Sequence, residues 1–245
     1  MIDFNPSRFR LPAVAKDVVS AMDAALVAER DGARPRDYLG ASAIGEPCLR
    51  KIQYRMREPE PFAARTLRIF ERGHAGEDRA MRWLRLAGFD LQTEKPGGGQ
   101  LGFASGGGRF RGHVDGVIHA VPAGLVGRIQ TPCLWEHKVL GAKGFRKLEA
   151  DGLALAYPEY AAQIATYQAY LDLTDPALFM ATCADTQAIH IEFVKFDAKL
   201  AQRMTDKAVN VLEAGDAEWL PRAYRDRNHY RCKWCAYADV CWEDE

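Results

Sequence analysis

The sequence predicts an α/β domain with a mixed central β-sheet flanked by helices. Three observations predict it. Helical apolar spacing dominates the N-terminal part, strand-like runs fill the middle, and the remainder reads β-α-α-β-β-α. At 245 residues the chain can bury a substantial core, so one domain with appendages is expected rather than two equal domains. The divisions are a helical extension over 1–40, a core over 41–220, and a cysteine-bearing segment over 221–245 that packs with Cys48.

Composition narrows the function classes. Apolar residues make up 48% and charged residues 27% of the chain, as in ordinary folded soluble proteins. The 33 basic and 33 acidic residues cancel, so any nucleic-acid contact must come from local basic patches. No apolar run is long enough for a membrane span, and the N-terminus lacks the pattern of a signal peptide. The expected location is the cytoplasm, where cysteines are reduced and serve as ligands or inert core residues.

Taken in order, 12–30 forms an amphipathic helix with Val14, Val18, Met22 and Leu26 at four-residue steps. After a Gly/Pro-containing link, Pro47 suits the first turn of a new helix and places Cys48 near its N-terminus. Residues 64–87 make a long helix in which Leu67, Phe70, His74, Glu77, Met81 and Leu84 share a stripe. His74 and Glu77 interrupt that apolar stripe. Either His74 is a core histidine bonded to Glu77, or it points into a metal site, the reading that the acids further along favour. Arg65, Arg68, Arg72, Arg79 and Arg82 fall on the opposite side, either a solvated surface or a face that tracks a phosphate backbone. Next come a strand over 89–94, glycine turns over 96–99 and 105–108, and one continuous strand over 110–120. A strand over 129–139 precedes helices over 141–151 and 158–171. Strands over 177–183 and 189–196 then pair, and a helix over 198–214 follows. There is no internal repeat and no low-complexity segment.

The chemistry is concentrated between Gly112 and Lys138. Asp115 on one strand and Glu136 on the next could bridge a hard cation such as Mg²⁺ or Mn²⁺. Glu136 and Lys138, two apart on a strand, point into the same cleft. There the lysine can orient water and offset transition-state charge. Gln163 and Tyr167, four apart on a helix, share a face. Asp…Glu-x-Lys is a common spacing on its own, but here His74 precedes it and the Gln/Tyr pair follows it.

In that order the residues resemble the RecB-like branch of the PD-(D/E)XK nucleases. Gly112-x-x-Asp115 and Glu136-x-Lys138 resemble its core, Gly73-His74 its histidine motif and Gln163-x-x-x-Tyr167 its Q-x-x-x-Y motif. Val114 stands where proline is frequent, and Trp135 is a bulky residue before the catalytic acid. The resemblance implies a restriction-endonuclease-like core that hydrolyses DNA phosphodiesters, with exonuclease action on ends or single-stranded portions as the expected mode. It also implies His74, Asp115 and Glu136 as Mg²⁺/Mn²⁺ ligands, Lys138 as the assisting base or electrostatic group, and Gln163 and Tyr167 as phosphate-positioning residues.

Cys232, Cys235 and Cys241 cluster near the C-terminus, and three thiols so close in a reducing compartment point to a metal. Cys48 is the best candidate for a fourth ligand. One remote thiol with three clustered ones resembles the [4Fe-4S] subgroup of RecB-like nucleases, which includes CRISPR-adaptation and AddB-type recombination nucleases. A cluster of that kind would staple the two ends of the domain. Zinc is the alternative. Cys133 and Cys183 are assigned to the core. The implied partners are DNA and recombination or CRISPR-integration proteins, in a CRISPR, repair or phage setting; the oligomeric state is left open. Two other readings are a non-catalytic DNA-binding or assembly subunit that keeps the fold, and a zinc-stabilised structural protein.

Overall fold

The structure is a computed structural model that describes residues 13–32, 36–58, 60–215 and 218–243. Its centre is a five-stranded mixed sheet in the order β2-β5-β6-β7-β8. The strands are β2 (Asp90–Gln92), β5 (Gly116–Ala120), β6 (Cys133–Leu140), β7 (Ala177–Cys183) and β8 (Ile189–Val194). β6 and β7 run parallel, and the other neighbours are antiparallel. A parallel pair needs a crossover, here supplied by α4 (Ala142–Ala156) and α5 (Pro158–Tyr170). β7 is buried along its whole length, which explains its continuous run Ala-Leu-Phe-Met-Ala-Thr-Cys.

Alternation along the central strands builds two cores. Leu134, Leu140, Phe179 and Ala181 pack with Phe145, Leu148 and Leu153 of α4 and Ile164 of α5. Cys133, Trp135, Leu178 and Met180 face the other way, onto Ala80 and Leu84 of α3 (Ala64–Leu86). α3 approaches β6 at Gly76, where a Cβ would lie 2.3 Å from Val139 Cγ2. Cys133 and Cys183 are both buried in these strands.

A second, three-stranded sheet runs β1-β4-β3, from β1 (Leu39–Gly40), β3 (Gly102–Ser105) and β4 (Phe110–His113). It packs on α5, with Phe103 stacked on Tyr170 at 4.3 Å. The single strand expected over 110–120 is therefore corrected: the chain bends at Val114 and Asp115 and passes from one sheet to the other.

α1 (Ala13–Asp31) lies against α3, where Arg68 pairs with Asp23. Its Val14, Val18 and Met22 are exposed, so that stripe does not face the core. Cys48 stands at the N-cap of α2 (Leu49–Arg57) without a side-chain cap hydrogen bond, so Pro47 precedes the first turn rather than lying in it. The chain continues through α6 (Ala198–Ala214) to the short helices α7 (Tyr230–Lys233) and α8 (Ala238–Glu243). Buried Gln53 of α2 holds the returning chain: its side chain donates to Glu218 O at 2.8 Å and accepts from Leu220 N at 2.7 Å. Among the described residues, no helix is long and apolar enough to cross a membrane.

Candidate active site

Strand period places the first two side chains. On β6, Glu136 and Lys138 share the face that looks toward α5, while Trp135, His137 and Val139 face α3. The bend between β4 and β5 sets Asp115 immediately before Gly116, whose partner in the ladder is Trp135. Asp115 thus meets the middle of β6, and its Oδ2 accepts a 2.7 Å hydrogen bond from His137 N. Lys138 Nζ donates to Glu136 Oε1. Glu136 is wholly buried, and its Oε2 has no hydrogen-bond partner among the described residues.

Too many acids share too little water here. Burial and the neighbouring Asp115 push Glu136 up to about 8. Burial likewise raises Asp115, although Lys138, the His137 amide and His74 act against it. Glu77 is pushed up to about 7 by burial and by Asp115. Burial would lower Lys138, but Glu136 and Asp115 outweigh it and hold the ammonium above its ordinary value. One lysine cannot neutralise three carboxylates, so the site has to bind protons or a cation. Among the described residues, however, no group of three or more His, Cys, Asp and Glu side chains stands arranged to hold a metal ion.

α5 backs the cleft. Gln163 Nε2 donates to Tyr167 Oη at 3.0 Å, and both residues are buried. Gly112 provides the seat for Tyr167, since a Cβ there would come within 2.6 Å of the ring. Burial and Glu136 raise the Tyr167 phenol, which keeps it a neutral donor. The Tyr160 ring centroid lies 5.3 Å from Lys138 Nζ.

The structure therefore brings Asp115, Glu136 and Lys138 together and sets Gln163 and Tyr167 behind them. His74 is solvent-exposed, so neither a core histidine nor a core-facing stripe through it holds; it still acts electrostatically on Asp115. Two participants were not picked out for the site. Glu77 carried a signal as the second polar interruption of the α3 stripe. Tyr160 carried one as the first of three residues, with Gln163 and Tyr167, at three- and four-residue steps.

The remaining expected site residues lie at the start of α2 and in the C-terminal segment. Cys48, Cys232, Cys235 and Cys241 line one cavity of about 280 Å³. Burial raises the Cys232 thiol, and the three other cysteines raise it further, so all four are within electrostatic reach. Arg222 Nε donates to Cys241 Sγ at 3.3 Å.

No family model matches the chain, and neither does any curated protein. Solved structures do. The crystal structure of SSO0001 superposes with a TM-score of 0.54 at 13% identity, over 94% of this chain and 98% of that one. An alkaline exonuclease from Laribacter hongkongensis gives 0.52 at 16% identity, over 79% and 93%. Its complex with dAMP gives 0.52 at 14% identity, over 81% and 93%. At these identities the likeness is one of fold: the chain shares its architecture with an alkaline exonuclease.

Proposed function

We propose that this chain is a Mg²⁺- or Mn²⁺-dependent DNA nuclease that attacks ends or single-stranded portions. The observation that carries the reading is the wholly buried Glu136, which has one oxygen on Lys138 and the other unpartnered, beside the raised carboxyl of Asp115. A lone buried carboxylate oxygen with acidic neighbours fits a hard cation. Asp115 and Glu136 would hold it, with exposed His74, which acts electrostatically on Asp115, as a further ligand and Glu77 as a further carboxylate. Once bound, the cation supplies charge neutralisation at the phosphate and an acidified water. The chain's own residues do the rest. Lys138 presents a permanent positive charge beside the scissile phosphate, and Tyr167, fixed by Gln163, offers a neutral phenolic donor. The shared fold with an alkaline exonuclease, one structure of which holds dAMP, supports DNA as the substrate and an end-directed mode.

The four cysteines, which line one cavity, are read as ligands of a [4Fe-4S] cluster, because one remote thiol with three clustered ones resembles that pattern, with zinc as the alternative. The cluster would staple the start of α2 to the C-terminal helices. Purified protein should then carry iron and visible iron–thiolate absorbance, both lost together with solubility in Cys232→Ser. A colourless protein with one zinc overturns this assignment.

The nuclease reading is tested with end-labelled single- and double-stranded DNA. Cleavage is expected with Mn²⁺, none with EDTA, and a loss of about 10²-fold or more in Glu136→Ala and Lys138→Ala. Undiminished activity in either variant sinks the reading. Tight DNA binding without cleavage favours the non-catalytic subunit instead.

A further inference from the structure

The C-terminal segment carries a surface that the catalytic reading does not use. Tyr230 is 63% exposed and Trp234 87% exposed, although both border the cysteine cavity. Trp234 N donates to Tyr230 O, so the two rings stand one helical turn apart on the same face. Large aromatics left in water forfeit their burial energy, and two of them bordering one cavity offer a contact surface. Tyr230 is also the outer end of a ladder. Its ring lies 4.7 Å from that of His229, which stacks on Tyr224 at 3.8 Å with planes 10° apart.

Charge identifies the occupant. From Arg222 through Cys235 there are five arginines and lysines and a single carboxylate, Asp226. Among the described residues, neither Arg225 nor Lys233 forms an ion pair. Aromatic rings interleaved with cations suit bases and phosphates together, and only unpaired bases can stack on them. A duplex keeps its bases stacked on each other.

The surface also leads somewhere. Arg231 joins Tyr230 Oη, at 3.2 Å, to Glu159 Oε1, at 2.8 Å. Glu159 sits in the first turn of α5 beside Tyr160, the ring next to Lys138. We propose that Tyr230 and Trp234 form a base-stacking platform for single-stranded nucleic acid, one that guides the strand past Arg231 and Tyr160 toward Lys138. The direction of the strand rests on the nuclease reading; the stacking does not.

The test uses the full-length protein without added divalent cation, so that nothing is cut. Fluorescence anisotropy compares an oligothymidylate of about 12 nucleotides, within the usual site size, with an abasic strand of equal length. The wild type should bind the base-bearing strand about tenfold or more tightly than the abasic one. Tyr230→Ala/Trp234→Ala should close that gap and leave abasic and duplex binding unchanged, while Tyr230→Phe/Trp234→Phe should restore it. Equal binding of both strands by the wild type, or no binding, overturns the platform even if the alanine variant misfolds. So does a folded alanine variant with wild-type affinity for oligothymidylate. A protein that prefers bases but never cleaves keeps the platform and loses the nuclease; one that cleaves without preferring bases does the reverse.

Discussion

Glu136 is wholly buried between Lys138 and Asp115, and its titration gives a sign that can be measured. Its ordinary value is 4.5 and the metal-free fold holds it near 8, so the unfolded chain releases the proton first. Metal-free protein therefore loses stability as pH rises through that interval. His137, buried and paired with Thr182 at 3.0 Å, acts in the opposite sense. It is depressed from 6.5 to about 4, so its stability is present above 6.5 and lost as pH falls toward 4. Lys138 stays charged in both states over this range and adds no slope. The thermal midpoint in EDTA should accordingly fall from pH 6.5 to pH 8, above the range where His137 titrates. In Glu136→Gln the midpoint at pH 8 should rise and the slope should flatten, although cleavage is lost. A flat wild-type profile would mean that the site is solvated.

At the scale of elements, the contact of α3 on β6 depends on one missing methyl. Gly76→Ala would place a Cβ 2.3 Å from Val139 Cγ2, a branched side chain that cannot swing away. The expected cost is about 1–3 kcal/mol by urea denaturation, against roughly 0.5 kcal/mol or less for exposed Arg82→Ala on the same helix. Cleavage should also fall in Gly76→Ala, because the same displacement moves Glu77 away from Asp115. Elements with a local terminator were legible in the sequence. α6 runs from Ala198 to Ala214 as expected, because Asp197 Oδ1 caps it by accepting from Leu200 N at 2.9 Å. The run Phe110–Ala120 was not, since a strand that changes sheets keeps its strand-like composition and period through the bend. β3 was missed because it is a short strand held between glycine turns.

For the whole molecule, the question is how the C-terminal segment stays in place. Gln53 satisfies two backbone groups of the returning chain, and Tyr54 stacks on Tyr237 at 5.1 Å. Gln53→Leu would leave the Leu220 amide without its acceptor in a buried setting, at a cost of about 1–3 kcal/mol. Limited proteolysis should then release the segment after 220 before the core is cut. If the core and the segment are digested together, the two are one cooperative unit and Gln53 is no latch.

The sequence by itself determined the longer helices and the main strands, the shared face of Glu136 and Lys138 and the Gln163/Tyr167 pair. Each follows from spacing along the chain, because backbone geometry converts spacing into faces. Tertiary structure alone decided that Asp115 sits where the chain changes sheets, that His74 faces solvent and that Glu77 joins the acids. It also decided that Glu136 is wholly buried and that Cys48 shares a cavity with three thiols far along the chain. Desolvation and long-range register are sums over the whole fold, and no local period carries them.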